Sequence, residues 1–182
     1  MYFDKPGPGN TARTLELAKA RADELKIRTI IVATTSGATG AQAAELFRGY
    51  DVVVVTHSTG FSAKDVQELT ADNRKRIEAA GGKILTCQHA LGGVNRAVRF
   101  KLKTYQLDEI IAYTLRAMGQ GFKVCCEMAL MAADAGLAST KREAVCIGGT
   151  GSGADTAVVL TPVNAQDFFD LKVHEIICKP RL

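Results

Sequence analysis

The chain has 182 residues and a mass of 19.4 kDa, the size of one domain with enough interior to bury a core. Hydrophobic residues make up 47% and charged residues 23%, which excludes wholesale disorder. The 23 Lys and Arg against 19 Asp and Glu leave a net charge of +4, too weak to argue for nucleic acid without a clustered face. Aromatics at 6% with no Trp supply few stacking platforms for single strands. No apolar run approaches the roughly 18 residues of a membrane helix. The N-terminus lacks a basic start followed by an apolar stretch, so neither a membrane partner nor a signal peptide is expected. Cys87, Cys125, Cys126, Cys146 and Cys178 contain no CxxC pair and suit a reducing cytoplasm. His57, His89 and His174 are widely spaced and form no HExxH pattern, so no metal is expected.

The elements alternate along the chain. Asn10 or Thr11 caps a helix to about Lys26, with Leu15, Leu17, Ala18, Ala22 and Leu25 as its apolar stripe. TIIVA at 29–33 is a buried strand, and Gly37-Ala38-Thr39-Gly40 opens an Ala-rich helix to about Phe47. DVVVV at 51–55 is a second buried strand. The spacing predicts a polar-faced helix over 63–80, stopped by Gly81-Gly82, and KILT at 83–86 is a third strand. The richest basic stretch, Arg96, Arg99, Lys101 and Lys103, is read as a solvated helix face or loop. Helices follow over 107–118 and 122–135, the second apolar on most sides, with Glu127 on its exposed edge. Three more strands are predicted at 143–147, 156–160 and 172–178, with His174 a structural residue in the last.

Nearly continuous apolar strands alternating with helices define a parallel sheet covered on both faces. Only nine residues, 148–156, separate the fourth strand from the fifth, too few for a parallel crossover, so this end of the sheet is expected to be antiparallel. The fold class is α/β, a three-layer sandwich with a mixed, mostly parallel sheet in a single domain over 1–182.

In such sheets ligands bind beyond the carboxyl ends of the strands, where the polar loops of this chain collect. After the first strand, Thr34, Ser36 and Thr39 supply hydroxyls, Gly37 allows close backbone approach, and a helix begins, which is read as a phosphate site that needs no lysine ahead of the alternative, an ordinary capped helix start. After the second comes Thr56-His57-Ser58-Thr59-Gly60-Phe61, in which His57 is either a proton donor and acceptor or a structural imidazole. His89, after the third strand, follows the same logic with less support. After the fourth comes Gly148-Gly149-Thr150-Gly151-Ser152-Gly153, either an anion nest or a tight hairpin connection. A strand follows it rather than a helix, so it is neither a dinucleotide fingerprint nor a nucleophile elbow. The second strand ends in Val55-Thr56-His57 rather than an acidic residue, which disfavours NAD.

TxSGxT at the end of the first strand, the Ala-rich helix and DVVVVT resemble the C-terminal α/β domain of pyruvate kinase. The matching loop there holds the phosphate of an allosteric sugar bisphosphate. End to end, with YFDKPGPGNTARTLELAKARA, ATTSGATG, VVVVTHSTGF and IGGTGSGADTAVVL, the chain resembles the stand-alone archaeal and bacterial proteins of that fold. The resemblance implies a mixed sheet of about five strands, one of them antiparallel, and a phosphate-bearing ligand, FMN, at the strand ends. It assigns Thr34, Ser36, Gly37, Thr39 and Gly40 to the phosphate. Thr56, His57, Gly60, Gly149, Thr150 and Gly151 become further crevice contacts, with Phe61 the chief aromatic nearby. Pyruvate kinase chemistry belongs to a barrel domain for which 182 residues leave no room, so kinase activity is not implied. Flavodoxins also hold FMN phosphate on a TxTGxT loop, but they are acidic and sandwich the ring between aromatics, unlike this basic chain. The expected function is that of a cytoplasmic FMN-binding protein, an oxidoreductase if catalytic. The alternative is a non-catalytic sugar-phosphate sensor or regulatory module. A homo-oligomer is the plain prior.

Overall fold

A computed structural model describes residues 1–181. Seven strands form one sheet in the order β1-β7-β6-β5-β2-β3-β4. They are β1 (Tyr2–Phe3), β2 (Thr29–Ala33), β3 (Asp51–Val55), β4 (Lys83–Leu85), β5 (Ala144–Gly148), β6 (Thr156–Thr161) and β7 (Lys172–Pro180). The helices are α1 (Thr11–Leu25), α2 (Ala38–Leu46), α3 (Ala71–Ala79), α4 (Val94–Leu102), α5 (Leu107–Arg116) and α6 (Gln120–Asp134).

Only β6 runs against the rest. It pairs antiparallel with β5 and with β7, while β2 is parallel to both β3 and β5. The single antiparallel strand agrees with expectation, and the count of about five is corrected to seven. The two-residue β1 has no pattern of its own and exists by pairing parallel to Lys179 and Pro180 of β7.

Successive strand residues face opposite sides, and both sides are apolar. Ile30, Val32, Val52, Val54, Val145 and Ile147 pack against Leu15, Ala18 and Ala22 of α1, the alanines and Phe47 at α2, and Ile77 of α3. Ile31, Val53, Val55, Cys146, Val158 and Leu160 pack against α6 through Phe122, Cys125, Cys126, Met128 and Met131. These are the three layers. Cys125, Cys126, Cys146 and Cys178 are buried free thiols, and burial pushes the Cys126 thiol up to about 12. Among the described residues no helix is long and apolar enough to cross a membrane.

The helix expected over 63–80 forms only from Ala71. Thr70 caps it by accepting from the Asn73 N–H (3.3 Å), and Asp65 upstream takes a left-handed φ of 61°. Residues 56–70 instead fold as a loop closed by the Gly60 N–H donating to the Val66 carbonyl (2.9 Å). The basic stretch forms α4, which together with α5 leaves Val94, Phe100, Leu102, Leu107 and Ile110 exposed.

Candidate functional site

The chain leaves β2 through α2 on one face, and it returns from β4 to β5 through α6 on the other. α2, which follows β2, and α6, which precedes β5, cover opposite faces, and a crevice lies between their starts at the carboxyl ends of β2 and β5. A cavity of about 760 Å³ lies there. Three helix starts reach it: Thr11 and Ala12 of α1, Ala38 and Thr39 of α2, and Gln120 of α6. Their dipole ends make the cavity favourable for an anion. One wall is apolar, formed by Ala33, Val55, Val124, Met128 and Met131.

Of the residues expected at the site, Thr34, Ser36, Thr39, Thr56, His57, Gly149 and Gly151 line this cavity. Two of their hydroxyls also serve the fold. Thr34 Oγ1 accepts from the Gly40 N–H (3.3 Å), and Thr56 Oγ1 lies 2.7 Å from Thr86 Oγ1. Ser36 is exposed to the cavity, and its carbonyl accepts from Thr70 N–H and Asn73 Nδ2, which fastens the 56–70 loop to the cup.

Gly37, Gly40, Gly60, Phe61 and Thr150 do not line the larger cavity. Gly40 is a packing residue, since a Cβ there would lie 2.5 Å from Val54 Cγ1. Gly37 begins α2 at φ 94°, and a Cβ would stand 2.5 Å from both Asn73 Cβ and Leu69 Cδ1. Gly37→Ala is therefore expected to lower stability by about 1–3 kcal/mol, read as a lower urea midpoint. An unchanged midpoint would mean that α2 and α3 shift apart freely. Thr150 donates its N–H to Asp155 Oδ2 (3.1 Å).

Asp155 is the organising residue that a reading of the loop as a nest or hairpin misses. It is fully buried, and its Oδ2 also accepts from the Gly7 N–H (3.0 Å) while Oδ1 accepts from the Thr156 hydroxyl (2.8 Å). The N-terminal segment is thereby tied to the Gly-rich loop. Thr11 Oγ1 adds a second tie by accepting from the Ala154 N–H (3.0 Å). A Cβ on Gly153 would meet Pro8 Cα at 2.5 Å, so glycine there is required by this close approach.

Phe61 sits in a stack. Its ring centroid lies 4.0 Å from that of His57 and 5.0 Å from that of His89, and the Arg96 guanidinium lies 4.3 Å from its centroid. His57 Nδ1 is 2.7 Å from Glu68 Oε2, and its carbonyl accepts from Gln67 Nε2 (3.0 Å). Glu68 and Gln67 escaped the sequence because they were assigned to a helix; the Thr70 cap and its Asn73 partner were the available signal.

Glu127 corrects the expectation of an exposed helix edge. It is 4% exposed and pairs with the equally buried Lys123 one turn away, while Oε1 accepts from the Leu91 N–H (2.9 Å). Burial alone would push its carboxyl up, but His89 (Nδ1 at 3.8 Å) and Lys123 outweigh this and hold it down at about 2. The apolar sequence around it gives no hint of orientation, which is set by where α6 meets the loop after β4. His174 is in β7, with Nε2 2.9 Å from Thr161 Oγ1, away from the site.

A smaller chamber of about 250 Å³ adjoins the first, sharing His57, His89, Gln120, Val124 and Glu127. The whole is a three-layer α/β sandwich with an anion-favouring crevice at the strand carboxyl ends. The family model for the pyruvate kinase alpha/beta domain matches residues 12–160, and the chain belongs to that family. Strands β2–β5 and all of β6 but its last residue lie inside the matched stretch, and β1 and β7 lie outside it.

Proposed function

We propose that the protein binds FMN in the larger cavity, with the phosphate at the start of α2 and the ring along Val124, Met128 and Met131. The observation that carries this is one cavity joining a cup of hydroxyls and helix starts to an apolar, methionine-bearing wall. Its volume is in the range of small-molecule and cofactor sites. Helix starts and the Ser36 and Thr39 hydroxyls suit a phosphate dianion, and methionine sulfur suits the face or edge of an aromatic ring. Phe61 is already engaged with His57, His89 and Arg96, so the methionine wall takes the role expected of it. Bound FMN would supply hydride or single-electron transfer. His57, held by Glu68, and His89 stand on the wall shared with the smaller chamber, where an imidazole can hydrogen-bond a ligand.

Mass spectrometry of the small molecule released on denaturation, after incubation with FMN, tests this. One FMN per chain is expected. Ser36→Asp places a carboxylate in the phosphate cup at an exposed position, and should weaken FMN binding at least ~10-fold through like-charge repulsion. Unchanged affinity would remove the phosphate from this loop. A sugar phosphate recovered instead of FMN, or no FMN uptake, would replace the flavin reading with that of a sugar-phosphate sensor.

A further inference from the structure

The smaller chamber is charged where the larger one is mostly apolar. Arg96, Arg99, Arg116 and Lys123 line it against Glu109 and Glu127, four cations to two carboxylates. Lys123 is paired with Glu127, and Arg99 Nε lies 3.0 Å from Glu109 Oε1, out of line for a hydrogen bond. Among the described residues Arg96 and Arg116 have no carboxylate partner. The Arg96 guanidinium lies against the Phe61 ring, and Arg116 Nε donates to Gln120 Oε1 (2.7 Å).

Three buried side-chain polar atoms among the described residues lack a hydrogen-bond partner: His89 Nε2, Arg99 Nε and Glu109 Oε2. All three belong to residues that line this chamber. Buried polar atoms that the protein leaves unpaired are rare and costly, so three around one small space are groups for water or a ligand to satisfy. Their chemistry describes such a ligand. Arg99 Nε is a donor and calls for an acceptor. Glu109 Oε2 is a carboxylate oxygen and calls for a donor. His89 Nε2 takes either role. Two unpaired guanidiniums add planar forks that match a carboxylate.

From this we infer that the smaller chamber is a binding site for a small hydroxycarboxylate. Its carboxylate faces the arginines, and its hydroxyl donates to Glu109. The excess of cations disfavours an ammonium as the donor, and the two glutamates in the wall disfavour a phosphate dianion. At about 30 Å³ per water in the liquid, the chamber has room for about eight waters, the size of a short-chain acid. Because His57 and His89 stand in the shared wall, such a ligand lies next to the larger cavity. The inference goes beyond FMN binding and does not depend on it.

Calorimetric titration of the full chain, without added FMN, with lactate, propionate, alanine and inorganic phosphate tests it. Lactate is expected to bind at least ~10-fold more tightly than propionate, which lacks only the hydroxyl, and more tightly than alanine or phosphate. Arg96→Gln and Arg116→Gln, both at half-buried positions, should each weaken lactate at least ~10-fold with the melting temperature kept. Arg116→Lys, which keeps the charge but not the fork, should fall between. Propionate binding as tightly as lactate, phosphate or alanine binding more tightly, or no lactate binding into the tens of millimolar would each overturn the proposal. Lactate binding indifferent to both glutamine variants would do so as well.

Discussion

Asp155→Ala is expected to destabilise the protein by about 3–5 kcal/mol, the sum expected when several buried donors lose their shared acceptor. The carboxylate is fully buried and accepts three hydrogen bonds, from Gly7 N–H, Thr150 N–H and the Thr156 hydroxyl. Removing it leaves two backbone donors and a hydroxyl unpaired where water is excluded, and each such donor costs about 1–3 kcal/mol. For a chain of this length the loss corresponds to a fall in Tm of about 6–20 °C. Asp155→Asn keeps the shape and one acceptor oxygen, but its amide N–H₂ must face existing donors, so it should recover only part of the loss. Ligand binding should weaken along with stability, because the ties hold the start of α1 against the Gly-rich loop and both line the larger cavity. A loss under about 1 kcal/mol in denaturant unfolding would mean that water replaces these partners readily.

Glu127 carries the second large effect, and it depends on pH. In the fold its carboxyl titrates at about 2 against an ordinary value of 4.5. Burial opposes this, and His89 and Lys123 prevail. A depressed folded value means that the stabilisation is fully present above the unfolded value. It is then lost as pH falls from about 4.5 towards about 2. The difference between the two values corresponds to about 3 kcal/mol. Glu127→Gln removes the charge and leaves Lys123, only 6% exposed, without its counter-ion. The variant should be less stable than the parent by about 3 kcal/mol near neutral pH, with the gap narrowing as acid is added. Urea unfolding of both proteins between about pH 5 and about pH 3 checks this. A gap that stays constant across that interval would show that the carboxyl does not titrate in the way its surroundings dictate.

Much of this molecule follows from local pattern. TIIVA and DVVVV are strands with the predicted ends, since a run of β-branched residues buried on both faces has no competing helical period. The short 148–156 connection and the antiparallel β5–β6 pair agree for a geometric reason, since a parallel crossover does not fit that length. The loop after β2 does stand on the crevice wall with Thr34, Ser36 and Thr39. The extension of α3 back to residue 63 failed because polar, helix-compatible residues say nothing about a loop that packs onto the Ser36 carbonyl and the His57 ring.

Alternation and apolar runs by themselves determined the layers, the parallel strands and the end of the sheet at which polar loops gather, because side-chain periodicity is a local property. Tertiary structure alone decided that Asp155 joins residue 7 to residue 150, that Glu127 is buried with Lys123, and that three orphaned polar atoms share one small chamber. The partners in each case come from segments far apart in the chain or from faces that the sequence leaves equivalent. Only the packing of α6, the loop after β4 and the N-terminal segment onto the sheet removes the water that would otherwise satisfy these groups, and burial is what turns ordinary polar residues into structural ties and a candidate site.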